Sequence, residues 1–324
     1  MNIQKNIPLV QYTTFKIGGA AKFFCEAKDE DDIIKALKFA QENKLPVFIL
    51  GGGSNVLVSD KGFDGLVIKI LNTRYNIQDT KIECGAGCPL SKIVNESIKS
   101  SLTGLEWAAG IPGTVGGAVR GNAGAFGATM GDAIESVRVL DITNFSKARL
   151  FPSRSLASGI PQSQAFLSRD CKFEYRNSFF KQNPNLIILS VKLKLKKGDK
   201  AESEKKIKEI LAKRKEKQPM DFPSPGSFFK NPAIKDKDLI KRFEINTGQK
   251  IKDDKTPAGY LIDQLDLRGK KIGGAMVSEK HANFIVNTGN ATAENVIALA
   301  AIIKTKVRNK FGIQLQEEVQ MVGF

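Results

Sequence analysis

Histidine is almost missing from this chain of 324 residues, His281 being its one example. Four cysteines, Cys25, Cys84, Cys88 and Cys171, add little to the stock of metal ligands. Cys84 and Cys88 have no second Cys or His pair at ligand spacing, so no metal site is expected and the thiols read as small buried apolar groups. Long apolar runs are missing as well. The N-terminal MNIQKNIPLVQYTTFKIGG has no continuous apolar stretch, and nowhere do about 18 apolar residues follow one another. That excludes a spanning helix and gives the expectation of a cytoplasmic chain. Acidic residues are few beside basic ones, and the net charge is +16. The surplus is mostly lysine, scattered from Lys5 to Lys310, and no helix-turn-helix, zinc-finger or RNA-binding signature accompanies it. A solvated lysine surface that attracts small anions is therefore expected, with no nucleic-acid partner.

Two familiar nucleotide fingerprints are also lacking. Gly85-Ala86-Gly87 opens like a dinucleotide turn, but Leu90 stands where the third glycine belongs, and no GxxxxGK[ST] occurs.

The remaining patterns predict mixed helix and strand. Asp29 to Asn43 reads as an amphipathic helix, with Ile33, Ile34, Leu37 and Ala40 on one face and an acidic first turn. Strands are predicted at Val47–Leu50, Val56–Val58, Leu66–Ile70, Val137–Leu140 and Leu186–Leu195, and a helix at Leu90–Ser100. Asn144 to Arg169, rich in Ser and Arg, reads as a loop or irregular insertion. At Lys196 the composition turns highly charged, which suggests a linker and then a helix opening a second domain. Ala293 to Lys310 is a strong helical pattern through Val296, Ile297, Ala300, Ile303 and Val307. A terminal strand, Ile313–Met321, follows it.

Glycine supplies the functional clue. Gly51-Gly52-Gly53 comes directly after a predicted strand and leads into Ser54-Asn55; such runs let backbone N–H groups converge on a phosphate. The plain alternative is a tight turn. The second cluster, residues 110–127, holds Gly110, Gly113, Gly116, Gly117, Gly121, Gly124 and Gly127. Each would cost about 1 kcal/mol inside a helix, so close approach of backbone to a flat ligand is the expected compensation, with a structural coil as the alternative.

Six segments in order, LGGGSNVLVSD (50–60), GIPGTVGGAVRGNAGAFG (110–127), YRNS (175–178), GSFFKNP (226–232), AGYLIDQLDLRGKKIGGAMVSEKHANFIVN (258–287) and LQEEVQMVG (315–323), resemble the UDP-N-acetylenolpyruvoylglucosamine reductase family over nearly the whole chain. The resemblance implies an α+β fold: an FAD-binding two-subdomain module of the vanillyl-alcohol-oxidase (PCMH) type over 13–198, then a C-terminal α/β substrate-binding domain over 199–324. It implies FAD as cofactor, NADPH as hydride donor and UDP-N-acetylglucosamine enolpyruvate as substrate, in a monomeric enzyme. The cofactor contacts implied are Gly51, Gly52, Gly53, Ser54, Asn55, Gly87, Gly110, Ile111, Pro112, Gly113, Thr114, Gly117, Asn122, Ala123 and Gly124. Arg176 matches the family's catalytic arginine, Ser227 its proton donor and Glu318 its glutamate, chosen over Glu317 because it directly precedes Val319. Tyr175, Lys217, Lys230 and Asn231 match substrate-contacting positions, and His281 reads as structural. Two departures stand out: Asn144–Arg169 is unlike the family's usual short segment, and Gln320 stands where arginine is common. A different flavin oxidoreductase on the same scaffold stays open, with the Ser227 and Glu318 motifs against it.

Overall fold

The computed structural model of the chain describes residues 1–143, 161–251 and 254–324. It divides into two compact units. The first comprises Met1–Ile7, Ala21–Gly52 and Asp64–Arg214, and the second Pro8–Ala20, Gly53–Phe63 and Lys215–Phe324. Instead of a single linear break near residue 198, the chain passes between units after 7, 20, 52, 63 and 214.

In the first unit the helix Glu30–Glu42 forms where its periodicity predicts. Asp29 caps it, accepting from the Asp32 amide, and Ile33, Ala36, Leu37 and Ala40 are buried. Its strands form a four-stranded sheet in the order Ile3–Pro8, Ala20–Ala27, Phe63–Ile70 and Val47–Leu50; the last two run parallel. A second, antiparallel sheet of five strands runs Gln162–Leu167, Ile134–Asp141, Leu186–Lys194, Lys81–Gly85 and Tyr75–Gln78. In its central strand the VKLKLK alternation buries Val191, Leu193 and Leu195 and turns the lysines outward. One continuous core runs through both sheets and holds all four cysteines as buried free thiols. Burial pushes the Cys25 and Cys171 thiols up to about 12, as expected of inert apolar fillers.

Three expectations need correction. Part of the predicted loop is the edge strand Gln162–Leu167, in register with Ile134–Asp141 from Asp141 opposite Gln162; its exposed polar residues carry no alternation, so only the neighbouring strand specifies it. Residues 144–160 of that predicted loop lie outside the described residues. The charged helix, observed at Lys200–Lys217, does not open the second unit: through Arg214 it belongs to the first. Its buried Ser203 donates to Glu106 at 2.6 Å, and Ile207 and Ile210 pack on the first unit's core.

The second unit packs the helices Lys237–Thr247, Ala258–Asp263 and Ala293–Phe311 with a three-stranded sheet, Lys271–Ile272, Ala275–Val277 and Ile285–Asn287. Phe15, Ile17 and Leu57 from the early segments are buried in its core. On the long helix Val296, Leu299, Ala300, Ile303 and Val307 are buried, whereas Ile297, counted on that face from spacing, is exposed. The third correction concerns the predicted strand Ile313–Met321. The strand is Gln320–Val322, parallel to Val56–Val58. Leu315 and Val319 are buried, Met321 is exposed, and the alternation on which a long strand depended is not kept.

Candidate active site

The first glycine run ends one unit and begins the other, since Gly52 closes a segment of the first and Gly53 opens a segment of the second. A Cβ on Gly51 would lie 2.7 Å from Thr114 Oγ1, and one on Gly52 2.5 Å from Gly113 Cα. The two glycine segments are thus pressed against each other within the first unit. Gly53 has φ +63, and a Cβ there would lie 1.9 Å from the Tyr12 carbonyl oxygen. Much of the glycine requirement is therefore met by protein rather than by a ligand. Gly87 follows the same logic, its missing Cβ falling 2.8 Å from the Ile70 oxygen.

In the second segment Thr114 caps the short helix Val115–Arg120. The N–H groups there are already engaged: Val115 donates to Cys88 O, Gly116 to Ala86 O, and Gly117 to Thr114 Oγ1. Ile111, Pro112 and Gly113 lead into that cap; Gly110, with φ +77, packs its bare face against Leu211 and Arg214. Room against the backbone remains at Gly117 and Gly121, where a Cβ would meet nothing closer than 3.5 Å. Both glycines lie on one side of the turn, at i and i+4. Burial lowers the pKa of Arg120 from the ordinary guanidinium value.

Arg176 is held beside this segment. Its Nη2 donates to the Gly124 carbonyl at 2.8 Å, and its guanidinium carbon lies 5.0 Å from the Tyr175 ring centroid. A Cβ on Gly124 would come within 3.0 Å of Arg176 Nη1, so that glycine makes room for the arginine head. The backbone of Arg176 has φ +98, which a non-glycine residue rarely adopts. Glu174 and Asn177 bridge across it, and the buried Asn122 fixes the turn by donating through Nδ2 to Glu174 O at 2.8 Å. Asn122 Oδ1 also accepts from the Gly131 amide, so its side chain is committed to protein. Ala123, between Asn122 and Gly124, is half-buried and packs on the core. Two residues beyond Arg176, buried Ser178 donates to Arg120 O at 2.7 Å.

The second unit brings together Ser227 and Glu318. Ser227 pairs with Phe284, and Phe229 with Glu317, as isolated antiparallel bridges. The Glu318 amide donates to Phe228 O at 2.8 Å, and the Lys230 amide to Gln316 O at 2.9 Å. Ser227 and Glu318 thus lie on adjoining backbones, registered by main-chain bonds. Phe228 and Phe229 are fully buried, edge to face, with ring centroids 5.1 Å apart. Asn55 Nδ2 donates to the Glu318 carbonyl at 3.2 Å, while Ser54 is half-buried. Asn231 Oδ1 accepts from the Ala258 amide at 3.0 Å. Lys217 is exposed at the end of its helix and belongs, as Ser227 and Glu318 do, to the second unit. Arg176 and Tyr175 belong to the first.

His281 makes structural contacts: its Nδ1 accepts from the Asn283 amide at 3.2 Å and its ring packs on Phe284. Burial, with Arg268 nearby, lowers its pKa from 6.5, which keeps that acceptor nitrogen free. Sequence reading missed two residues that hold the site. Asn283 is bonded to Phe228 and Phe229, and Asp60 caps the helix Ala293–Phe311 through the Ala293 and Glu294 amides. Asn283 carried one signal, a lone amide inside the apolar run Ala282 to Val286.

A family model described as UDP-N-acetylenolpyruvoylglucosamine reductase, C-terminal domain, matches residues 218–322, and one described as FAD binding domain matches 21–144. A UDP-N-acetylenolpyruvoylglucosamine reductase of Caldanaerobacter subterraneus is 40% identical over 319 residues, 98% of this chain and 93% of that protein. That of Solibacter usitatus is 36% identical, covering 99% and 97%. The crystal structure of the Thermus caldophilus reductase superposes with a TM-score of 0.75 at 31% identity, over 99% of each chain.

Proposed function

This chain belongs to the UDP-N-acetylenolpyruvoylglucosamine reductase family, and from that premise we propose how its own residues serve the reaction. It is an FAD-dependent oxidoreductase that reduces UDP-N-acetylglucosamine enolpyruvate to UDP-N-acetylmuramate with NADPH, a step of peptidoglycan precursor synthesis. When bound, FAD would supply the hydride chemistry that links NADPH to the substrate's double bond.

The bare backbone at Gly117 and Gly121 fits a flat ring system laid against it. The family's other contact positions, in Gly51–Asn55, Gly87 and Gly110–Gly124, would complete the grip, largely through main chain. In this reading the first unit carries most of the cofactor contacts and the second most of the sugar-nucleotide contacts.

Reduction of the enol ether develops negative charge beside the substrate carboxylate, and fixed donors aimed there lower the barrier. Arg176 supplies a planar fork suited to a carboxylate, with its orientation set in advance by the Gly124 carbonyl. Its unusual backbone is the local strain that functional residues tend to carry. Ser227 Oγ gives its proton to the carbon that bears the developing charge. An alcohol is a weak acid, but a carbanion-like enolate is a strong base. Glu318, next to a substrate carboxylate, serves best when protonated and donating a hydrogen bond. Tyr175, Lys230, Asn231 and Lys217 would contact the sugar nucleotide. The observation that carries the pairing of Ser227 with Glu318 is the hydrogen bond from Glu318 N–H to Phe228 O, which registers the glutamate against the serine's segment.

Among the described residues no helix is long and apolar enough to cross a membrane. A monomer acting in the cytoplasm completes the proposal. The test is NADPH consumption by purified, flavin-loaded protein. One UDP-N-acetylmuramate is expected per NADPH, and oxidation of NADPH with no such product would reject the reading.

A further inference from the structure

We infer that Asn283 is the positioning residue for Ser227, an inference that rests on the proton-donor role proposed above. Ser227 lies in no long strand. Before it stands Gly226, at φ +85, with no atom within 4 Å of where its Cβ would be. The hydroxyl's placement therefore depends on what fixes Phe228 and Phe229 behind it.

Asn283 does most of that fixing. Its main-chain oxygen accepts from the Phe228 amide at 2.7 Å. Its side-chain Oδ1 accepts from the Phe229 amide at 3.0 Å, and its Nδ2 donates to the Phe229 oxygen at 2.8 Å. The carboxamide thus takes the place of a peptide group in a neighbouring strand, meeting both main-chain groups of one residue. Asparagine suits this position because one planar group carries a donor and an acceptor at the right reach; aspartate lacks the donor and leucine lacks both. Asn283 is 3% exposed, so water cannot substitute for it. Its own amide donates to His281 Nδ1 at 3.2 Å, which braces the loop that presents it. The next residue, Phe284, pairs with Ser227 itself.

The experiment compares flavin-loaded wild type with Asn283→Asp and Asn283→Ala. Flavin reduction by NADPH and re-oxidation by UDP-N-acetylglucosamine enolpyruvate are followed separately. A displacement of the hydroxyl by a fraction of an ångström is expected to slow re-oxidation by roughly 100-fold, with reduction by NADPH unchanged within about twofold. Amide hydrogen exchange across residues 226–230 should quicken in the same variants while the first unit's exchange stays as in wild type. Adding Asn283→Asp to Ser227→Ala should slow re-oxidation no further, since the positioned group is already gone.

If Ser227→Ala alone leaves re-oxidation intact, the serine's assigned role falls. If that variant is slow while the Asn283 variants re-oxidise normally, or lose both half-reactions equally, only the positioning inference falls. Failure to obtain either Asn283 variant as flavin-loaded protein would make it a folding residue and overturn the inference too.

Discussion

Arg176 and Ser227 are fixed by opposite means. The arginine has a long flexible stem, so its head is tied down, by the Gly124 carbonyl and the face of Tyr175, and its backbone is bent to φ +98 to bring it there. The serine hydroxyl sits one carbon from the main chain and needs no partner at its tip. It is placed by fixing the main chain, through Phe228, Phe229, Asn283 and the 316–318 segment. A long charged side chain is positioned from its far end, a short one from its root.

The largest expected effect tests the serine side. Ser227→Ala should slow substrate-driven re-oxidation about 1,000-fold, within the range of general-acid contributions, and leave reduction by NADPH nearly intact. Stopped-flow flavin absorbance separates the halves, and an equal loss in both would deny the hydroxyl its role. Next comes Arg176→Lys, which keeps the charge but cannot bond the Gly124 carbonyl and a carboxylate with one fork. A fall of roughly 100-fold in kcat/KM is expected, and near-normal turnover would mean that charge alone suffices. Gly226→Ala is subtler. It meets no atom but must hold φ +85, so it should disturb the root of Ser227 and cost about tenfold in re-oxidation. Unchanged kinetics there would break the contrast, because the serine would then tolerate a shifted backbone.

The smallest effect concerns His281, which braces Asn283. Its pKa is lowered by burial first and by Arg268 second, so the unfolded chain takes up the proton before the folded one does. Its contribution is fully present above the ordinary value of 6.5 and is lost as pH falls below it toward the folded-state value. Between pH 7.5 and 5.5 the melting temperature of wild type should drop more than that of His281→Gln. Parallel drops would remove histidine from the account.

Legibility followed the source of the information. The helix Glu30–Glu42 was readable because spacing, Asp29 and the acidic turn all agree within one segment. Gln162–Leu167 was not, because QSQAFL becomes a strand only against its partner. The terminal strand was overextended because alternation on paper from Ile313 to Met321 is not kept in space. For the site, the order of motifs pointed to Arg176, Ser227 and Glu318, and the register of 228–230 against 316–318 is consistent with grouping the last two. The glycine argument from close approach to a ligand meets a different cause in the structure. Most of those residues are bare because protein presses on them, whereas Gly117 and Gly121 leave room. Asn283 escaped because its one local signal, an amide in an apolar run, does not say which segment it serves.

The pairing of Val56–Val58 with Gln320–Val322 has a consequence for biosynthesis. A strand made early must wait until residues 320–322 are translated before its partner exists. Until the ribosome has released residue 322, Leu57, Phe15 and Ile17 have no finished core to enter. This half of the enzyme therefore matures only once residue 322 has left the ribosome, and a nascent chain stalled before that point offers proteases and chaperones an open apolar face.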